Sequence, residues 1–235
     1  MPSRWSVRGS LPLVSSDRNV GRVNDWAAWH DSYDRPGSSL DRRLARVRHR
    51  IREALDGMPA GPIRVISMCA GQGRDLLGVL PDHPRREDVS ARLVELDPRN
   101  AEFARRSARG LRVEVVEGDA SLCAAYQGFV PADLVLVCGV FGNVSDADIR
   151  HTVANLPRLC RTGSTVIWTR HREPPDATPM IREWFAEHGF RDVGFDSEDG
   201  FKYGVGIQQL TGPPLPYQPD LRLFDFVGDG SGAYR

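Results

Sequence analysis

The chain has 235 residues, of which 40% are hydrophobic and 26% charged, and its 31 basic residues are balanced by 31 acidic ones. These values suit one large α/β domain, or a domain with an added cap, that can bury a substantial core. The formal net charge of zero argues against a polyanion as the main partner, so we expect no nucleic-acid partner.

The sequence has neither an apolar run of membrane-spanning length nor a secretory signal core, which predicts a cytoplasmic protein with no membrane partner. Its four cysteines lie far apart without a C-x-x-C pair, and this favours reduced thiols in the core. The six histidines have no zinc-site spacing, so no structural metal is expected.

The N-terminal part divides into a predicted flexible tail over residues 1–22 and a predicted helical cap over residues 23–60. In the cap, a tryptophan-rich stretch precedes a helix whose apolar residues recur at three- and four-residue steps: Leu40, Leu44, Val47, Ile51 and Leu55. Six arginines of this helix fall mostly off that stripe, and we interpret them as a solvated basic face and not as a phosphate-binding surface: Arg42, Arg43, Arg46, Arg48, Arg50 and Arg52.

Strand and helix patterns alternate from residue 63 onwards. Five strands are predicted, at 63–68, 91–96, 112–116, 134–137 and 165–169, with intervening helices such as 100–108 and 146–159. Apolar strands separated by helices predict a parallel sheet covered on both faces. A helix at 180–188 is followed by strands at 191–196 and 202–210 that flank a turn, which predicts a β-hairpin.

The predicted fold is therefore a three-layer, doubly wound α/β domain over residues 61–212. It has a mostly parallel seven-stranded sheet with an antiparallel terminal strand, and the helical cap precedes it. Residues 213–235 are rich in Pro and Gly and predict an extended C-terminal tail.

The first predicted strand ends in the loop CAGQG, and the spacing after it predicts a helix with Asp75 in its first turn. Three kinds of ligand suit a strand, a glycine loop and a helix in this order: a nucleoside triphosphate in a P-loop, a dinucleotide, and S-adenosylmethionine. A P-loop is excluded because no lysine follows the glycines. A dinucleotide fingerprint fits weakly, because Leu76 stands where a third glycine or alanine is needed. S-adenosylmethionine fits better, since its zwitterionic methionine end needs a close backbone approach, which glycine permits.

Acidic residues end the next two predicted strands. Glu95 lies 22 residues beyond Gly73, where a carboxylate can accept hydrogen bonds from both ribose hydroxyls of a nucleoside. Asp119 ends the following strand, where it can accept a bond from an adenine amino group. Both positions suit the adenosine part of S-adenosylmethionine.

Together these motifs resemble those of the class I, Rossmann-like methyltransferases that use S-adenosylmethionine. CAGQG resembles the glycine motif of that superfamily, LVELDP its ribose motif and VEGDA its adenine motif. ADLVLVCGVFGNV resembles the strand beside the transferred methyl group, and LPRLCRTGSTVIWTR the helix, turn and strand that follow. The resemblance covers roughly residues 25–210.

The resemblance implies S-adenosylmethionine as cofactor and a set of cofactor-binding residues: Tyr33, Cys69, Ala70, Gly71, Gly73, Asp75, Glu95, Leu96, Asp119, Ala120, Cys138, Gly139 and Asn143. Two positions depart from the motif. Ser67 stands where many relatives have an acidic residue, and Cys69 replaces the first glycine. Backbone carbonyls near Cys69 and Ala70, or the side chain of Asp75, can hold the methionine amino group instead.

The catalytic candidates are His171, at the end of a predicted strand, and His30 and Tyr33 in the segment before the first helix. Methyl transfer from a sulfonium needs mainly positioning and desolvation, with at most one base for an oxygen or nitrogen acceptor. His171 can act as that base while Arg170 or Arg172 binds a substrate carboxylate.

We therefore expect an S-adenosylmethionine-dependent enzyme that methylates an oxygen or nitrogen of a small molecule or peptide. Two alternatives stay open: an NAD(P)-linked oxidoreductase on the same sheet and a non-catalytic scaffold that binds S-adenosylmethionine. Leu76 and the terminal hairpin argue against the oxidoreductase, and Glu95 and Asp119 make a scaffold the weaker alternative.

Overall fold

A computed structural model describes residues 37–197 and 202–227. The predicted tail at 1–22, the tryptophan-rich stretch of the cap and the turn of the predicted hairpin lie outside these residues, as do His30 and Tyr33. No helix in the described ranges has both the length and the apolar character needed to cross a membrane.

Helix α1 (Ser39–Gly57) begins where the Ser38 hydroxyl accepts a hydrogen bond from the backbone N–H of Asp41, at 3.1 Å. Its buried residues are Leu40, Arg43, Val47, Ile51 and Leu55. Arg43 therefore takes the place in the buried stripe that the sequence assigns to Leu44. The predicted solvated basic face is also wrong for Arg48 and Arg50, because Arg48 binds the carbonyl of Arg74 and Arg50 binds Asp196.

A seven-stranded sheet forms the centre of the fold, in the spatial order β3-β2-β1-β4-β5-β7-β6. Strand β7 is antiparallel to both of its neighbours, and the other pairs are parallel, which confirms the predicted sheet. The strands are β1 (Ile63–Met68), β2 (Val89–Glu95), β3 (Val113–Glu117), β4 (Ala132–Val137), β5 (Cys160–His171), β6 (Phe190–Asp196) and β7 (Tyr203–Leu210).

Three further α-helices are α2 (Pro98–Ser107), α3 (Asp146–Asn155) and α4 (Thr178–Glu187), and short 3₁₀ turns lie at Leu80–Asp82, Cys123–Tyr126 and Leu156–Arg158. The helix expected directly after the glycine loop is absent, and that prediction is wrong: residues 74–79 form turns, followed by the first 3₁₀ turn. Gly78 and Pro81 disfavour a continuous helix there. The Asp75 carboxylate accepts a bond from the N–H of Leu76 at 2.7 Å, which also competes with helical bonding.

Two apolar cores lie on opposite faces of the sheet, because successive strand residues point to opposite sides. One joins α1, the turns at 74–82 and α2 to residues such as Val65 and Leu136. The other joins α3 and α4 to residues such as Ile66 and Val137. The helices cover both faces, as a mostly parallel sheet requires.

Residues 213–227 form an extended segment that we call the C-terminal strap. It is extended, as predicted for this part of the chain, but Leu223 and Phe224 are fully buried in the second core. Its backbone bonds to Ser121 and Cys123 in the connection between β3 and β4, and Val227 bonds to Asn143 in the loop after β4. The strap thus reaches the edge of the sheet at which β1, β2, β3 and β4 end.

Candidate functional site

The carboxyl ends of the parallel strands meet at one edge of the sheet, and the strand order reverses between β1 and β4. Such a reversal opens a crevice in which open α/β sheets bind ligands. In register, Met68 lies opposite Val94, and Glu95 lies opposite Glu117. The loops after β1, β2 and β3 therefore begin side by side at this crevice.

The glycine loop after β1 has three residues in the left-handed region: Cys69 with φ 50°, Gly71 with φ 57° and Gly73 with φ 67°. Its N–H at Ala70 bonds to the carbonyl of Val94 at 2.9 Å, which attaches the loop to β2. A Cβ at Gly73 would lie 2.7 Å from Leu77 and 2.8 Å from Leu93, so the close packing and the positive φ both favour glycine here. Cys69 adopts a conformation that favours glycine, the residue of the family motif at this position.

Glu95 is buried at the end of β2 and links two loops. One carboxylate oxygen accepts from the N–H of Gly71 at 2.7 Å and the other from the N–H of Asp97 at 2.8 Å. Burial raises the pKa of Glu95, although these backbone bonds work in the opposite direction. A carboxylate has about four acceptor positions, so Glu95 keeps capacity for two ligand hydroxyls.

Asp119 follows β3 and is held by two side chains. Its Oδ1 accepts from the backbone N–H of Ser121 at 2.9 Å and from its hydroxyl at 2.6 Å, and Oδ2 accepts from Arg222 at 3.0 Å. Burial alone would raise the pKa of Asp119, but the Ser121 bonds and the Arg222 charge outweigh it and leave the pKa lowered. Asp119 is thus fixed as a carboxylate.

Cys69, the first residue of the glycine loop, is subject to the charges of both acids. Burial raises the pKa of its thiol, and the charges of Glu95 and Asp119 raise it further, which places all three residues in one neighbourhood. The thiol is therefore protonated at neutral pH. The side chain of Cys69 occupies space that a glycine at this position would leave open.

On the other side of the glycine loop, Asp75 is close to α1 and β4. Burial raises its pKa, while the Leu76 N–H and the charges of Arg43 and Arg48 work in the opposite direction. Cys138, directly after β4, has its pKa raised by burial and by the charge of Asp75. Asp75 therefore lies between the glycine loop, α1 and the end of β4.

The loop after β4 is fixed by bonds to its neighbours. The N–H of Gly139, at φ 84°, donates to Thr169 Oγ1 at 2.9 Å, and Asn143 Nδ2 donates to the carbonyl of Gly139 at 2.7 Å. Arg170 donates to the carbonyl of Phe141. The Asn143 and Arg170 side chains thus shape this loop.

His171 ends β5 beside the same loop. A Cβ on Gly142 would lie 3.6 Å from its Cδ2 atom, and its Nδ1 is buried without a hydrogen-bond partner in the described part of the chain. Burial and the charge of Arg170 lower the pKa of His171, so the ring is neutral at neutral pH. Arg172 pairs with Asp176 at 3.2 Å, so both arginines expected to bind a substrate carboxylate are engaged within the chain.

The structure thus brings most of the predicted site residues to one edge of the sheet. Leu96 is 38% exposed directly after Glu95, and buried Ala120 follows Asp119. Four residues that hold this site were not among the candidates: Arg48, Ser121, Thr169 and Arg222. Thr169 ends a predicted strand, which is a usable signal, whereas Arg222 lies in a segment without any periodic pattern.

The chain has the fold of class I S-adenosylmethionine-dependent methyltransferases. By sequence, no protein-family model and no curated protein matches it. The CurJ carbon methyltransferase superposes with a TM-score of 0.64 at 14% identity, over 80% of this chain and 59% of that one. The chain thus corresponds to less than two thirds of the CurJ structure.

Two other solved structures show the range of this fold. The 1,6-didemethyltoxoflavin-N1-methyltransferase of Burkholderia thailandensis, bound to S-adenosylhomocysteine, has a TM-score of 0.56 at 19% identity over 80% of this chain and 87% of that one. The [4+2]-cyclase SpnF has a TM-score of 0.52 at 14% identity over 76% and 82%. At these identities the likeness shows the fold alone.

Proposed function

We propose that this protein binds S-adenosylmethionine and transfers its methyl group to an oxygen or nitrogen of a small molecule or peptide. The observation that carries the proposal is the bond between Gly71 N and Glu95 Oε2 at 2.7 Å. It joins the glycine loop to a buried carboxylate with spare acceptor positions at the reversal point of the sheet. A ribose with two hydroxyls matches that carboxylate.

The remaining predicted contacts follow the same edge of the sheet. Asp119 accepts from the adenine amino group beside Leu96 and Ala120, and Asp75 holds the methionine amino group in place of the acid missing at Ser67. Burial raises the pKa of Asp75, and a bound ammonium group would offset the cost of keeping its carboxylate charged there, which supports this assignment. Tyr33 stays a candidate contact outside the described residues.

Bound S-adenosylmethionine would supply a methyl group already activated by its sulfonium. The chain then has to orient the acceptor in line with the methyl–sulfur bond and to exclude water. The loop after β4, which contains Cys138, Gly139 and Asn143, is the candidate wall on the methyl side. His171 beside this loop is neutral and can take the proton that an oxygen or nitrogen acceptor loses.

Calorimetry with S-adenosylhomocysteine and with NAD tests the cofactor. We expect saturable binding of S-adenosylhomocysteine and none of NAD. Tight NAD binding without S-adenosylhomocysteine binding would show that the proposal is wrong and would favour the oxidoreductase.

A screen of candidate acceptors, followed by mass spectrometry for a methyl increment, then separates catalysis from binding alone. His171→Asn should lower the methylation rate, because the acceptor loses its base. His188→Asn is the matched control, since His188 Nδ1 contacts the carbonyl of Trp184 on α4. Equal rates in the two variants would remove His171 from the reaction.

A further inference from the structure

The C-terminal strap contacts the adenine side of the proposed cofactor site through one side chain. Arg222 Nη1 lies 3.0 Å from Asp119 Oδ2 and 2.6 Å from Ser121 Oγ. The same guanidinium is 3.4 Å from Asp225 within the strap. Ser121 in turn donates its hydroxyl hydrogen to Asp119 Oδ1, so the three side chains form one network.

The backbone of the strap fixes the position of Arg222. Leu223 N–H donates to the carbonyl of Ser121 at 2.7 Å, and the Leu223 carbonyl accepts from the Thr152 hydroxyl at 2.8 Å. The carbonyl of Arg222 itself lies 3.1 Å from His151 Nε2. Since Leu223 and Phe224 are buried, Arg222 is presented from a firmly packed backbone.

Within this network, one hydrogen-bond acceptor position of the Asp119 carboxylate is unused. Of about four acceptor positions on a carboxylate, Ser121 uses two on Oδ1 and Arg222 uses one on Oδ2. The remaining position lies on Oδ2, and Arg222 determines which way it faces. An ionised carboxylate accepts only, so this position suits an amino group and repels a carbonyl oxygen.

We infer that Arg222 is a positioning residue that orients Asp119 and thereby makes the site select a 6-amino purine over a 6-oxo purine. The inference rests on the proposed function, in which the ligand is an adenosine derivative. Arg222 acts through Asp119, so its removal affects the choice of base more than the binding of the ribose or the methionine part.

The test compares calorimetric affinities for S-adenosylhomocysteine and for S-inosylhomocysteine, in which an oxygen replaces the 6-amino group. The wild-type protein should prefer the adenosyl compound by roughly tenfold or more, as expected for one bond to a charged group. Arg222→Ala should lower this preference several-fold, and Arg222→Lys should restore part of it. Asp119→Asn should also lower it, because an amide can donate to the 6-oxo group.

Arg158→Ala is the matched control, because Arg158 also anchors the strap, through the carbonyl of Pro216 at 2.8 Å, but lies apart from Asp119. It should keep the wild-type preference even if its melting temperature falls. An unchanged preference in Arg222→Ala would overturn this inference alone. An unchanged preference in Asp119→Asn, or no preference in the wild type, would overturn it together with the proposed contact between Asp119 and the adenine amino group. Failure of the wild type to bind either compound would instead overturn the proposed function, and this inference with it.

Discussion

Two backbone N–H groups, those of Gly71 and Asp97, meet on the carboxylate of Glu95. Glu95 therefore holds two loops together, in addition to its proposed contact with the ribose. Burial raises the pKa of Glu95, and the two backbone bonds oppose this rise because they stabilise the carboxylate.

Replacing Glu95 by Ala should abolish measurable S-adenosylhomocysteine binding in calorimetry and lower the free energy of unfolding by about 1–3 kcal/mol. Binding is lost because the ribose hydroxyls lose their acceptor, and stability falls because the N–H groups of Gly71 and Asp97 lose theirs. Glu117→Ala, at the exposed end of β3, is the control and should bind normally. A Glu95→Ala protein that bound S-adenosylhomocysteine with the wild-type affinity would remove Glu95 from the cofactor site.

The affinity of the wild type should also depend on pH. The ribose hydroxyls donate to the ionised form of Glu95, and protonation removes an acceptor. Affinity should therefore fall on acidification through the raised pKa of Glu95, and the fall should begin above the ordinary value of 4.5. Calorimetry from about pH 7.5 downwards measures this, and a constant affinity down to about pH 4.5 would contradict it.

At the scale of single residues, the sequence predicts the groups that belong to a motif. The glycines and Asp119 follow predicted strands, Glu95 lies at the end of one, and the structure places all of them at one edge of the sheet. It does not predict the partners that hold them, because Arg222 is 103 positions from Asp119 and its segment has no periodicity. Arg43 was misassigned for a related reason, since periodicity alone does not show that a buried stripe can include a charged residue.

At the scale of secondary-structure elements, helix α1 supports the turns after the glycine loop through the side chain of Arg48. Arg48 donates to the carbonyl of Arg74 at 2.8 and 2.6 Å. Its guanidinium also fills the space beside Gly78, where an added Cβ would lie only 2.3 Å from Arg48 Nη2. The turns after the loop lack a full helix of their own. A side chain from α1 therefore satisfies a carbonyl that a regular helix would bond internally.

Arg48→Ala should lower the free energy of unfolding by about 1–2 kcal/mol and weaken S-adenosylhomocysteine binding, because the carbonyl of Arg74 loses its charged donor. Urea unfolding and calorimetry measure the two effects. Arg52→Ala on the exposed side of the same helix is the control, expected to change stability by less than about 0.5 kcal/mol. Equal effects of the two variants would show that α1 does not support the loop through Arg48.

The strands and helices themselves were largely predictable, since long apolar or amphipathic patterns specify them locally. The missing helix after Gly73 shows the limit of prediction from local patterns. The apolar spacing of Leu76, Leu77 and Leu80 suits a helix, and all three are indeed buried. Turns bury the same residues, so the burial pattern alone does not distinguish the two backbones.

For the whole molecule, the strap extends the domain beyond the boundary drawn at residue 212. Phe224 is buried and packs edge-to-face on Phe226, with ring centroids 5.5 Å apart. Pro and Gly content predicts an extended backbone correctly but carries no information about what that backbone covers. The extent of the folded unit therefore depends on long-range packing that the sequence pattern does not show.

Phe224→Ala should lower the free energy of unfolding by about 3–5 kcal/mol, as expected for a large side chain removed from a core. Val227→Ala, in the same strap but 69% exposed, should change it by less than about 0.5 kcal/mol. Urea unfolding of both variants measures this. Wild-type stability of Phe224→Ala would mean that the strap does not belong to the core in solution.

The position of β7 between β5 and β6 has a consequence for synthesis on the ribosome. Both neighbours emerge before β7 does, and they pair with it over Thr165–His171 and Phe190–Asp196. Until residues 203–210 follow, each neighbour presents an unpaired strand edge, which is a template for aggregation. A nascent chain paused between β6 and β7 therefore exposes two strand edges that β7 covers in the finished sheet.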